Sequence, residues 1–86
     1  MIYMISYDLG APDGNREKLE NDIKSIGKHC KYLKTTYLVS TNAFMDSIQK
    51  IATANLESKD RMIICKVEKP IRGWLTNEQW RAIGYL

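Results

Sequence analysis

Apolar and polar positions alternate in blocks along the chain, and the blocks predict strands and helices in turn. Met1 to Leu9 predicts a strand, because Ile2, Tyr3, Met4, Ile5 and Tyr7 make both faces apolar until Ser6 and Asp8 intervene. Gly10 to Gly14, with Pro12 and Asp13, carries the turn chemistry of a loop. From Asn15 to Ile26 the pattern is helical. Leu19, Ile23 and Ile26 share one face, while Arg16, Glu17, Lys18, Glu20, Asn21, Asp22 and Lys24 cover the rest. Gly27 is a natural stop. A second β region runs from Lys31 to Thr41, and Leu33 and Lys34 break its alternation. It predicts one long bent strand or two short strands with a kink between them. Thr41 or Asn42 caps a second helix reaching about Leu56, with Phe44, Met45, Ile48, Ile51 and Ala52 on one stripe. Arg61 to Glu68 predicts the last strand, again apolar on both faces at Met62, Ile63, Ile64 and Cys65. Pro70 to Gly73 connects it to Thr76-Asn77-Glu78-Gln79, a capping box opening a short helix with Trp80 and Ile83.

A strand apolar on both faces belongs in the middle of a sheet. The order β-α-β(β)-α-β therefore predicts that the first and last strands lie side by side in the centre, parallel, with both helices on one face. That is an α+β, ferredoxin-like βαββαβ sandwich in a single domain over residues 1–86, its core at about 1–69 and an appendage at about 70–86. A three-stranded βαβαβ unit competes, but it would leave a thin sheet with little core.

Composition narrows the class. The 86 residues leave no room for a second domain, and the apolar share of 44% and charged share of 27% are those of an ordinary globular chain. A chain of this size buries only roughly 60–65% of its unfolded surface, so a homodimer is expected to complete the core. No apolar run approaches the roughly 20 residues of a membrane span, so no membrane partner is expected. The first residues do not read as a secretory signal. Cys30 and Cys65 form no C-x-x-C, which predicts two reduced thiols and a cytoplasmic location. The single histidine, His29, makes a His-based zinc site or a His-activated nucleophile improbable.

Four features carry candidate chemistry. Asp8 ends the first strand beside Tyr7, where ligands settle in α/β sheets, and it either faces a metal or accepts N–H bonds in the following turn. One carboxylate holds Mg²⁺ or Mn²⁺ poorly, but a two-fold dimer would supply a second. Asp13 and Arg16 straddle a helix start; Asp13 caps it, and Arg16 either binds phosphate or pairs with a carboxylate. Lys24, Lys28, Lys31 and Lys34 place four lysines and no acid in eleven residues, with Tyr32 interleaved, after an acidic helix face. The net charge of +3 is thus unevenly spread. The stretch reads either as a solvated helix end or as a surface for phosphate backbone. Trp74 and Trp80 need cover, over the open sheet face or at the edge of a partner subunit.

These residues also resemble a family. Ile5-Ser6-Tyr7-Asp8-Leu9, then Asp13-Gly14-Asn15-Arg16 leading into Lys18-Leu19, looks like the opening of the small CRISPR adaptation-associated ferredoxin-like proteins. Gly27, Thr35-Thr36-Tyr37-Leu38, and Asp60 ahead of Met62-Ile63-Ile64 continue the likeness over roughly residues 2–68. VapD-type toxin ribonucleases and small SinR-like proteins share the opening, and the Thr36–Thr41 strand end with the Trp-bearing tail looks closest to the SinR-like set. The resemblance implies a homodimer in which paired Asp8 carboxylates face each other, in some members binding a divalent metal and cleaving phosphodiesters, with Tyr7 beside Asp8 and Arg16 at the helix start. The Gln and Ser-Val-Phe of the family's second strand are absent, and a Trp segment replaces its extra strand.

Two functions follow as expectations. One is a dimeric interaction module in a phage-defence, anti-defence or toxin–antitoxin setting. It would bind nucleic acid through Tyr7, Arg16, Lys24, Lys28, Lys31 and Lys34, or a protein partner through an interface with Tyr37, Trp74 and Trp80. The alternative is a Mg²⁺- or Mn²⁺-dependent ribonuclease or deoxyribonuclease in which Asp8 is both metal ligand and catalytic residue, although no general base is evident.

Overall fold

The computed structural model describes residues 1–10 and 15–86, so the expected cap at Asp13 lies outside the described residues. Seven elements follow in order: β1 (Ile2–Asp8), α1 (Arg16–Lys24), β2 (Lys28–Leu33), β3 (Thr36–Ser40), α2 (Met45–Ala52), β4 (Arg61–Val67) and α3 (Asn77–Gly84). The strands form one antiparallel sheet in the order β2-β3-β1-β4.

Strand periodicity sorts the side chains onto two faces. Tyr3, Ile5 and Tyr7 of β1, with Tyr37 and Val39 of β3, are buried beneath Leu19 and Ile23 of α1 and Ile48 and Ala52 of α2. Both helices thus cover one face, although Phe44 and Ile51 of the stripe expected for α2 are exposed. The opposite face carries the row Cys30, Leu38, Met4, Cys65, fixed by the registers Cys30↔Leu38, Met4↔Leu38 and Met4↔Cys65. Here the C-terminal segment folds back. Leu38 and Ile83 are buried, and the segment roofs a cavity of about 470 Å³ with Met4, Tyr32, Val67 and Trp80 in its walls. The capping box forms as read: Thr76 Oγ1 accepts from the Gln79 N–H at 3.1 Å, and Gln79 Oε1 accepts from the Thr76 N–H at 2.9 Å.

Three expectations are corrected. β4 pairs with β1 antiparallel, not parallel, and it is an edge strand rather than a central one. On its outer face Ile63 is 61% exposed, while Cys65 and Val67 are half-buried. The second β region takes the two-strand form of the alternatives, but its first strand begins at Lys28 rather than Lys31, where Lys28 and His29 carry no apolar signal. Gly27 does not end α1 in a left-handed conformation. Ser25 caps the helix in the right-handed region, and Gly27 is needed because a side chain there would strike the Ser40 carbonyl.

Candidate functional site

α1 antiparallel to β2 sets the site. The first residue of the helix, Arg16, comes level with the far end of β2, and the last, Lys24, comes level with its start. The lysine stretch is therefore split. Arg16, Lys31 and Lys34 line one shallow concavity of about 480 Å³ with Tyr32, Leu33 and Gln79. Lys24 and Lys28 are exposed at the opposite end of the strand.

A polar network under this concavity holds its floor. Tyr7 Oη donates to Glu20 Oε2 at 2.6 Å, and Lys31 Nζ donates to the same oxygen at 2.7 Å. The Lys31 ammonium also lies 5.9 Å from the Tyr37 ring centre, within cation–π range. Burial alone would raise the Glu20 pKa. The hydrogen bonds from Lys31 and Tyr7 and the charges of Lys31 and Arg16 outweigh it and hold the carboxyl below its usual range. Burial and then the Glu20 hydrogen bond and charge push Tyr7 well above the usual phenol range. Tyr37 is pushed up to about 12, by burial first and the Glu20 charge second. Neither phenol ionises near neutral pH, so the network positions Lys31 rather than moving protons. α3 closes the rim, since Gln79 Nε2 donates to the Tyr32 carbonyl at 2.7 Å.

The site therefore keeps Arg16, Lys31 and Lys34 together and loses others. Tyr7 and Tyr37 are buried at 3% and 1% exposure, so Tyr7 cannot touch nucleic acid and Tyr37 cannot form an interface. Both belong to the core under the helices. Trp80 is half-buried in the cavity wall, whereas Trp74 is 99% exposed. Glu20 and Gln79 were missed in the sequence. Glu20 had a signal: it lies four residues after Arg16 and three before the buried Ile23, at the flank of the apolar stripe.

Asp8 is exposed at the end of β1, in register with Arg61 and beside Ser6 and Ile63. The Ser6 hydroxyl is occupied by Thr36 Oγ1 at 3.1 Å, and the Arg61 guanidinium donates to the Ser58 and Asp60 carbonyls. Among the described residues no three His, Cys, Asp or Glu side chains gather as metal ligands. One exposed carboxylate level with an arginine does not meet the several-oxygen demand of Mg²⁺ or Mn²⁺, so one protomer does not fit such an ion, and no catalytic step is derived through it. Asp60, by contrast, works structurally. Its two oxygens accept the Glu57 and Gly10 N–H groups, each at 2.8 Å, which clamp the end of β1 to the start of β4 and hold its carboxyl below the usual range. Cys30 is pushed up by burial, away from the reactive thiolate. No helix is long and apolar enough to cross a membrane among the described residues.

No family model matches the chain, and no curated protein matches it. Among solved structures it is similar to a hypothetical protein, TT1823, from Thermus thermophilus, with 19% sequence identity, 87% of this chain and 90% of that one covered, and a TM-score of 0.70. At that identity the likeness concerns the fold alone: a small α+β chain with a four-stranded antiparallel sheet.

Proposed function

We propose that the protein is a ferredoxin-like, self-associating interaction module that binds the phosphate backbone of single-stranded nucleic acid in the concavity of Arg16, Lys31 and Lys34. The strand order β2-β3-β1-β4 with both helices on one face supports the ferredoxin-like assignment. The observation that carries the function is the convergence of three cations from a helix start, a strand and a turn on one concavity. Arg16 is the first residue of α1, so the positive end of that helix adds to the field. Glu20 beneath cancels part of the charge but fixes the direction of the Lys31 ammonium, whose remaining donors are available. Such contacts hold a backbone without reading a sequence.

The test is fluorescence anisotropy of a labelled single-stranded RNA titrated with protein over a range of salt concentrations. Three phosphate contacts predict that log affinity falls with log salt at a slope of roughly −2 per site. Binding that ignores salt, or no binding at low ionic strength, overturns the proposal.

A further inference from the structure

The two edges of the sheet are built differently. β2 carries Lys28, Lys31 and Lys34 on or beside it, has a register shift between Lys31 and Leu33, and has its Tyr32 carbonyl capped by Gln79. Lysines, irregularity and a covering helix are the devices that stop an edge from pairing. β4 has none of the larger ones. It runs seven residues without proline, its register with β1 is unbroken, and its single edge lysine is Lys66.

The hydrogen-bonding direction along β4 follows from β1. The Tyr7 N–H donates to the Thr35 carbonyl at 3.0 Å, so the odd residues of β1 bond toward β3 and the even ones toward β4. Carried through Asp8↔Arg61, Ser6↔Ile63, Met4↔Cys65 and Ile2↔Val67, this turns the odd residues of β4 inward. Met62, Ile64 and Lys66 are left with their N–H and C=O groups at the open edge. Beside that edge, Met45 and Gln49 of α2 and Thr53 just after it form a groove with Met62, Ile63 and Ile64.

We propose that this edge pairs with β4 of a second copy of the chain, antiparallel about a two-fold axis through Ile64, to make one continuous eight-stranded sheet. The strand is its own complement. In this register Ile64 meets Ile64, Met62 meets Lys66, Ile63 meets Cys65 and Arg61 meets Val67. All seven residues find a partner and no like charges stand opposite each other. Ile63, exposed in the single chain, comes against the second copy's Cys65. The next pair out, Asp60 against Glu68, is acidic on both sides and closes the pairing at seven residues. An axis normal to the sheet keeps α1 and α2 of both copies on one side. It also leaves both β2 edges, with their cationic concavities, at the outer ends.

The inference rests on the self-association in the proposed function, but a cross-link reports the register separately. With Cys30→Ser to remove the other thiol, Ile63→Cys should cross-link to the second copy's native Cys65 on mild oxidation, because the two face each other in a closely spaced non-hydrogen-bonded pair. The linked species runs at twice the chain mass without reductant and disappears when Cys65→Ser is added. Lys66→Pro, which deletes one outward N–H from an edge position, should turn a dimer into a folded monomer by light scattering and circular dichroism. A dimer that survives Lys66→Pro and does not cross-link overturns this pairing and leaves self-association standing. A wild-type monomer at every concentration overturns both, and RNA binding by that monomer would leave the concavity standing.

Discussion

The two faces of the sheet contrast in how each is finished. Beneath α1 and α2, Ile5, Leu19, Ile23, Val39 and Ile48 are fully buried, and the tyrosines between them are nearly so. On the other face, the C-terminal segment buries Leu38 and Ile83 but leaves Ile63 and Trp74 in solvent and a cavity under its own strap. One face is completed inside the chain, and the other only in part. Stability should therefore reside on the first face, and partners should be met at the second face, at the free edge or at the ends.

Paired truncations sharpen this contrast. Ile5→Ala, which empties a site with no solvent access, should cost about 2–5 kcal/mol in urea unfolding. Trp74→Ala removes a larger side chain yet should stay within about 0.5 kcal/mol, because the indole is already in water. Comparable losses would break the asymmetry. A smaller effect concerns pH. Glu20 is held below its usual range in the folded chain, so its contribution is fully present above the unfolded-state value and is lost as pH falls through the depressed one. Glu20→Gln should flatten that acid limb of the stability curve and lower stability near neutral pH, as followed by thermal melting across pH.

Much of the closed face is legible in the sequence, because periodicity reports burial directly. Leu19 and Ile23, Ile48 and Ala52, and the odd residues of β1 each declare the side they bury. β4 is where that logic misleads. Met62 to Cys65 looks central because both faces are apolar, yet periodicity cannot distinguish a strand covered by its own chain from one whose edge and outer face are left open. β2 fails in the opposite direction, since its lysines face solvent and mask a strand held by pairing with β3. At the site, Arg16, Lys31 and Lys34 are visible as charges. Their separation from Lys24 and Lys28 is set by helix direction, and the sequence alone does not show it. Tyr7 and Tyr37 are misplaced because a tyrosine on a strand reads equally well as core or as surface. Here Glu20 provides the half-buried acceptor that draws the Tyr7 hydroxyl inward.

The most direct test removes the same charge from the two ends of the lysine stretch. Arg16→Ala with Lys34→Ala, and Lys24→Ala with Lys28→Ala, each delete two positive charges, so any effect of net charge is equal. RNA affinity measured by anisotropy at one moderate salt concentration should fall about tenfold further for the first pair than for the second, with a shallower salt slope only in the first. Equal losses, or a larger loss from Lys24 and Lys28, would contradict a cleft at Arg16, Lys31 and Lys34.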